Sequence, residues 1–532
     1  MFRCFYQEKG VIPNSFELSP VSRFDILKEL NCLETGKSVG LDGLSARFLK
    51  DGAVVLADPI THIVNFSISA ESVPSGFKDA RVKPLYKKGG KLDPGNYRPV
   101  SVLTTLSKIL ERTVHKQLVR YLESKQILFD YQSGFRSGFS TDTCLANLTD
   151  YVRSELSKGK LVGMVLIDLR KAFDTVDFEI LLSKLRIMGV KSTDWFRSYL
   201  TGRRQCVNVN GTDSEFLNVT CGVPQKSILG PTLFLCYVND MSISLKCKLS
   251  LYADDSALIA SNRSVENLCS FLSKELESCS KWLVDSKLSL HVDKCESIVF
   301  SSSQKAKLRD AFKISCFGNE VKRVSTVKYL GVHLDETLSG KAQAADVLKK
   351  ASSRLSFLYR KSNLLDFKSR VTLCMTLIQP FFDYCCSSWY SGVNTKLKDR
   401  LDALQRKMIR FVFRLDSRDS VMPDHFRQLG WLCVSDRVRY FKMVITFKVR
   451  MGQAPSYLSD CFQRFSTVHS YETRGSQSDY IVSREDTASS AMLNSFTYTA
   501  KKEWNRLPSS LKTIRKLEVF KSKLRDYLLA SY

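Results

Sequence analysis

Hydrophobic positions recur along this chain with two different spacings. Between residues 101 and 128, Leu103, Leu106, Ile109, Leu110, Val114 and Leu118 fall three or four apart, which predicts a helix with one buried face. A second helix is expected near 141–157, after the glycine-rich stretch Gln132-Ser133-Gly134-Phe135-Arg136-Ser137-Gly138. Residues 21–50 also have a helical pattern. It breaks at residues 36–43, too rich in glycine for a helix interior. Val162 to Ile167 form an unbroken apolar run, the pattern of a buried strand, and the run ends at Asp168. Short apolar stretches flank Tyr252-Ala253-Asp254-Asp255: Leu249 and Leu251 before it, Ala257, Leu258 and Ile259 after it. Strands meeting at an acidic turn predict a β-hairpin with carboxylates at its tip. Residues 81–100 are basic and punctuated by Gly and Pro, with Arg81, Lys83, Lys87, Lys88, Lys91 and Arg98 inside eighteen positions. Helical patterns dominate after residue 341, and the serine-rich residues 464–490 are expected to form a loop between C-terminal pieces.

A chain of 532 residues is too long for a single core, so several domains are expected. Its 44% hydrophobic and 25% charged residues describe a globular protein rather than a disordered one. Charge changes the picture more: 80 Lys+Arg against 54 Asp+Glu gives a net +26. Residues 341–532 hold 34 Lys/Arg against 17 Asp/Glu, a net +17, leaving 46 against 37, a net +9, for residues 1–340. Such an excess points to an anionic partner, with nucleic acid ahead of a membrane surface. No apolar run approaches membrane-spanning length, and the N-terminus lacks the apolar core of a signal peptide. The sixteen cysteines form no CxxC pair, and none of the six histidines stands at zinc-finger spacing. Together these features suggest a reducing compartment, cytoplasm or nucleus.

The chemistry gathers around Asp168. A charged group cannot sit unpaired in a sheet core, so a carboxylate delivered at the end of an apolar strand must face solvent, a cation or a basic partner. Beside the Asp254-Asp255 hairpin it would supply a third carboxylate for two divalent ions that clamp the attacking and leaving oxygens of a phosphoryl transfer. Hard cations such as Mg²⁺ prefer such oxygen ligands. Asp174 and Asp177, in the same segment, read as solvated acids at a helix start.

Several blocks along the chain resemble, in the same order, the reverse transcriptases of non-LTR (LINE-type) retrotransposons, most nearly the jockey-like ones. Lys83-Pro84-Leu85-Tyr86-Lys87-Lys88-Gly89-Gly90 precedes Asn96-Tyr97-Arg98-Pro99-Val100-Ser101. Gln132–Arg136 and Asp168–Asp177 follow, then Gly222-Val223-Pro224-Gln225 with Ser227-Ile228-Leu229-Gly230-Pro231, and Tyr252–Asp255. Val327-Lys328-Tyr329-Leu330-Gly331 resembles the family's primer-grip block, and the likeness continues into Leu404-Gln405-Arg406-Lys407 and Trp504-Asn505-Arg506-Leu507-Pro508.

The resemblance implies a right-hand polymerase of α+β class: fingers, a ferredoxin-like palm sheet, a helical thumb and a basic helical C-terminal region. The implied pieces are 1–75 upstream of the fingers, 76–335 as fingers and palm, 336–420 as thumb-like helices, and 421–532 as the basic C-terminal region. The implied reaction is RNA-directed DNA polymerisation: deoxynucleotides are added to a DNA primer 3′-hydroxyl on an RNA template, with a dNTP substrate and an RNA–DNA hybrid product. Asp168, Asp254 and Asp255 would hold two Mg²⁺ ions, with the Leu169 carbonyl as a further ligand. Phe173 would lie under the incoming sugar and exclude a 2′-hydroxyl. Lys83, Arg98 and Gln225 would meet the nucleotide, and Arg136 the template backbone. Without the resemblance, Phe173 reads as a core aromatic, Lys83 and Arg98 as a solvated basic face, and Arg136 as part of a flexible loop.

Two departures stand out. The family pattern after Gln225 is glycine, and here Lys226 stands in its place; Thr232 is a milder change. A lysine there either strains the backbone and crowds the site or projects outward and touches phosphate. Jockey-like elements carry an endonuclease domain ahead of the polymerase, and residues 1–75 do not resemble one, so a truncated reading frame is expected. An RNA-directed RNA polymerase would share the carboxylates, but lacks the Phe173 arrangement and has Gly ahead of the paired acids. A decayed or co-opted copy that binds RNA without polymerising is the other alternative.

Overall fold

The computed structural model describes Tyr6, Val11, residues 14–462, Ile481, Ser489 and residues 491–532. The serine-rich segment expected to form a loop at 464–490 thus lies outside the described residues, apart from Ile481 and Ser489. In chain order the strands are β1 (Asp79–Tyr86), β2 (Tyr97–Val102), β3 (Leu161–Ile167), β4 (Arg203–Val209), β5 (Thr212–Asp213) and β6 (Leu217–Val219). They continue as β7 (Lys248–Tyr252), β8 (Asp255–Asn262), β9 (Glu296–Phe300), β10 (Ile314–Cys316), β11 (Asn319–Arg323), β12 (Thr326–Tyr329) and β13 (Val332–Asp335). The chain divides into two compact units, each assembled from separate stretches.

One unit comprises Met1–Phe135, Asp168–Lys246 and Glu277–His291. Its sheet has the order β2-β1-β4-β5, with β6 also paired to β4. The basic segment at 81–100, for which the sequence suggested no strand, supplies β1 and β2. Proline usually argues against strands. Here Pro84 and Pro99 stand directly opposite each other. The neighbouring bond from Lys87 N–H to the Asn96 carbonyl (2.9 Å) makes that rung a non-hydrogen-bonded one, so the missing N–H groups cost the β1–β2 ladder nothing. On its other edge β1 pairs with β4 only over Asp79–Val82, short of Pro84.

The helices of this unit follow their apolar spacing. Thr105–Ser124 is capped by Thr104, whose side chain accepts from the Ser107 N–H, and it buries Ile109, Leu110, Val114 and Leu118. The predicted break at 36–43 is present: helices run at Arg23–Asn31 and Ala46–Asp51, then resume at Ala53–Ser69.

The second unit comprises Arg136–Ile167, Cys247–Leu276 and Val292–Tyr532. Its principal sheet has the order β10-β11-β9-β3-β8-β7, with β3 antiparallel to both β8 and β9. Leu161, Val162, Met164 and Val165 on β3 are fully buried, each contributing roughly 1.5–3 kcal/mol by leaving water. Gly163 is required there, since a Cβ would stand 2.5 Å from Leu272 and 2.9 Å from the Phe312 ring. The predicted helix at Thr141–Ser157 packs against this sheet.

Beyond β13 the unit is helical, with Lys341–Tyr359 packed on Thr395–Phe413 and Val434–Arg450 packed on Phe496–Asn505 and Leu517–Leu529. The C-terminal helices are tied into this unit by polar groups. Asp150 accepts the Phe496 and Thr497 N–H groups at 2.6 and 2.7 Å, and the buried Lys442 reaches Ser391 and Thr499, each at 2.7 Å. Among the described residues no helix is long and apolar enough to cross a membrane.

Candidate active site

The predicted acidic hairpin is present. Tyr252 at the end of β7 pairs with Asp255 at the start of β8, leaving Ala253 and Asp254 as a two-residue turn. Both aspartates are exposed, while Ala253 is buried at φ +58, a left-handed backbone that costs a residue with a Cβ roughly 1 kcal/mol. The seven-rung pairing of β3 with β8 ends at Ile167 opposite Ser256. Asp168, the next residue in the chain, is exposed.

Beyond Asp168 the backbone is clamped by the segment before β9. His291 N–H donates to the Asp168 carbonyl and Arg170 N–H to the Ser289 carbonyl, both at 2.9 Å. These bonds flank the Leu169–Leu290 bridge, a non-hydrogen-bonded pair in which the Leu169 carbonyl points away from residues 289–291.

Next to the hairpin, β12 and β13 are joined by Leu330 (φ +46) and Gly331 (φ +82), the two left-handed residues of a primed turn. The Tyr384 hydroxyl donates to the Leu330 carbonyl at 2.7 Å, and a Cβ on Gly331 would stand 3.0 Å from the Tyr384 ring. A recess of about 190 Å³ opens between this turn and the hairpin, lined by Ile167, Asp255, Ser256, Lys328 and Tyr329 among others. The primer-grip-like block and the second aspartate of the hairpin thus share one recess.

In the other unit, Phe173 stacks on Phe234 (centroids 4.4 Å apart, 22° between planes) and meets Phe135 edge-on at 6.3 Å. It remains only half-buried. The residues after it hold a second loop: Val223 N–H donates to the Phe173 carbonyl and Gly222 N–H to the Val176 carbonyl, both at 2.8 Å. Gly222 lies at φ +87, and a Cβ there would be 2.7 Å from the Asp174 carbonyl oxygen.

Asp177 is a helix-start acid as expected, accepting from Ile180 N–H at 3.0 Å and pairing with Lys287. Asp174 is not. Its carboxylate accepts from Gln225 Nε2 at 2.8 Å, a contact between residues 51 apart that local pattern does not reveal.

Pro224 to Ser227 form a turn closed by Ser227 N–H to the Pro224 carbonyl at 3.1 Å, with Lys226 in third position at φ +76. A type II turn needs a positive φ there, which is why glycine suits the position. One element of each reading for Lys226 is present: the backbone is in the strained region, and the residue is exposed. The Gln225 carbonyl accepts from Ser101 N–H on β2 at 3.2 Å.

Lys83 and Arg98 are exposed on β1 and β2. Lys83 stands opposite Val100 and Arg98 opposite Leu85, so the two cations are diagonal neighbours on one face of the ribbon. Arg136, in the second unit, is half-buried with its guanidinium 4.1 Å from the centre of the Phe139 ring.

Sequence reasoning missed Glu111. Its fully buried carboxylate accepts from Ile228 N–H (2.6 Å), Leu229 N–H (3.4 Å) and the Tyr199 hydroxyl (3.2 Å), thereby holding the start of helix Leu229–Val238. Burial pushes its pKa up. The available signal was an acid on the apolar face of helix 105–124, three and seven residues before Val114 and Leu118.

Among the described residues no three His, Cys, Asp or Glu side chains stand together as a ready metal cluster. The hairpin tip does present two exposed carboxylates. That donor set suits Mg²⁺, which protein sites usually hold through one or two carboxylates together with substrate phosphates.

Residues 85–334 match the reverse transcriptase (RNA-dependent DNA polymerase) family. At the level of particular relatives, the chain is similar to the RNA-directed DNA polymerase from mobile element jockey of Drosophila funebris, 25% identical over 407 residues, covering 74% of this chain and 44% of the relative. It is likewise similar to the probable RNA-directed DNA polymerases from transposon BS (26% identical; 75% of this chain, 45% of the relative) and transposon X-element (27%; 66% and 39%) of Drosophila melanogaster. The chain spans less than half the length of these relatives.

Proposed function

We propose that this chain is an RNA-directed DNA polymerase that adds deoxynucleotides to a DNA primer on an RNA template. The observation that carries the reading is the strained two-residue hairpin presenting Asp254 and Asp255, set at the end of the β3–β8 ladder from which Asp168 follows. In this reading the six-stranded sheet is the palm, the β1–β2 ribbon belongs to the fingers, and the helices after β13 form the thumb and a basic C-terminal region.

Asp168, Asp254 and Asp255 would hold two Mg²⁺ ions, which when bound favour attack by the primer 3′-oxygen and offset charge on the departing pyrophosphate. Lys83 and Arg98 would take the triphosphate, where fixed cations stabilise the same charge. Phe173, fixed by Phe234, would form the wall beneath the sugar. The recess between Asp255 and the Leu330–Gly331 turn would receive the primer end. Lys396, Arg400, Arg406 and Lys407 are exposed on helix Thr395–Phe413, opposite its buried Leu397, Leu401, Leu404 and Met408. These cations would grip nucleic acid through phosphates, making binding sensitive to salt.

Primer extension tests the reading. We expect Mg²⁺-dependent dNTP incorporation on an RNA template, abolished by Asp254→Asn while RNA binding persists. Lys226 at φ +76 keeps a second reading in view, that of an RNA-binding copy with weakened polymerisation. A wild-type chain that binds RNA and never extends a primer favours that second reading.

A further inference from the structure

We infer that Tyr384 is a positioning residue for the primer end: its hydroxyl holds the Leu330–Gly331 turn in its primed form and so fixes the recess beside Asp255. The inference rests on the reading of that recess as the place that receives the primer end.

The turn has two conformations open to it. With both φ values positive, +46 at Leu330 and +82 at Gly331, it is type I′, which suits the twist of the β12–β13 hairpin. Glycine in second place also suits a type II turn, and that form would return Leu330 to negative φ. The left-handed backbone disfavours a leucine by about five- to thirtyfold, and one hydrogen bond favours its own geometry by about two- to tenfold. The two effects are of one scale. The 2.7 Å bond from the Tyr384 hydroxyl to the Leu330 carbonyl therefore tips the balance toward the primed turn. Conversion to type II re-aims that carbonyl and breaks the bond.

Tyr384 is itself fixed from several sides. Its N–H donates to the Pro380 carbonyl and its own carbonyl accepts from Trp389 Nε1, both at 3.1 Å. Asp383, just before it, accepts from Arg437 Nη2 at 2.6 Å and from Gln379 Nε2 at 2.9 Å. The ring lies against Gly331, where a Cβ would stand 3.0 Å away. Helix Val434–Arg450, which carries Arg437, is thereby connected to the turn through two adjacent residues. Asp255, Lys328 and both turn residues line the recess, so a change of turn reshapes it.

The test places 2-aminopurine at the primer 3′ end and compares wild type, Tyr384→Phe, Leu330→Asn and the double variant. Phenylalanine keeps the ring against Gly331 and removes only the hydroxyl, while Asn-Gly favours the type I′ turn by itself. Tyr384→Phe should reduce the fluorescence change on binding, and lower kcat for extension, by about three- to tenfold, the scale of one hydrogen bond. The Kd for duplex and the KM for dNTP should change little. In the Leu330→Asn background the same substitution should have almost no effect. An equal loss in both backgrounds shows that Tyr384 does not act through the turn and overturns the inference. The fluorescence arm reads binding alone, so it stands even if no primer is extended. A wild type that binds duplex with no fluorescence change fails the primer-end reading, and the inference falls with it; a change that Tyr384→Phe leaves intact fails the inference alone.

Discussion

Replacing Lys226 with glycine should strengthen the Pro224–Ser227 turn. Lys226 occupies the third position at φ +76, where a side chain with a Cβ costs about 1–2 kcal/mol. Glycine removes that strain but loses more chain freedom on folding, which returns about 0.5–1 kcal/mol. The expected net gain is about 0.5–1 kcal/mol, or about 1–4 °C in the melting of the unit that contains the turn. The lysine side chain is exposed, and its only role to lose is its charge. Lys226→Ala separates the two effects, because it removes the charge and keeps the Cβ. Thermal melting of the three proteins should therefore rank glycine above wild type, with alanine within about 0.5 kcal/mol of wild type. The same turn carries Gln225, so relief of strain should populate the productive geometry more fully and raise primer extension about two- to fivefold, the rate equivalent of that energy. An alanine variant as stabilised or as active as the glycine one would refute the argument, since backbone conformation would then not be what Lys226 disturbs.

Three further outcomes follow from buried polar groups. Glu111→Ala strands the Ile228 and Leu229 N–H groups at a helix start and should cost about 2–3 kcal/mol in thermal or denaturant unfolding, while Glu111→Gln, still an acceptor, should cost clearly less. Asp150→Ala removes the carboxylate that holds the start of helix Phe496–Asn505; we expect a loss of about 1–2 kcal/mol and faster proteolysis within residues 491–532, and unchanged cleavage there would count against it. Lys442 is held down to about 8 by burial, so the fold disfavours its charged form. That penalty applies in full below pH 8 and lifts as pH rises from about 8 toward 10.5, so wild type should gain stability relative to Lys442→Met between pH 7 and pH 10, and a pH-independent difference would contradict the assignment.

What the sequence made legible was whatever local spacing controls. The helices Thr105–Ser124 and Thr141–Ser157, the buried strand before Asp168 and the acidic hairpin all announce themselves within a few residues, because burial of one face imposes a period on the chain. The β1–β2 ribbon did not, since Pro84 and Pro99 each argue against a strand and only their register makes them harmless. The basic excess after residue 341 pointed to nucleic acid, yet part of it is spent inside the fold, with Arg437 on Asp383, Arg439 on Glu503, and Lys442 on two hydroxyls. Composition counts charges without saying which have partners. The same limit explains the candidate site. Asp168, Asp254 and Asp255 are visible because apolar strands deliver them, and a carboxylate at such a place demands an explanation. Asp174 and Glu111 look like ordinary surface acids until Gln225 and the Ile228–Leu229 amides, 51 and more than a hundred residues away, turn out to be what they hold. Residues that would do chemistry are thus legible at strand ends, whereas residues that orient them become visible only when long-range partners are known. Backbone strain falls between these cases: Lys226 was noticeable as a lysine where glycine is usual, but its positive φ belongs to the turn that surrounds it.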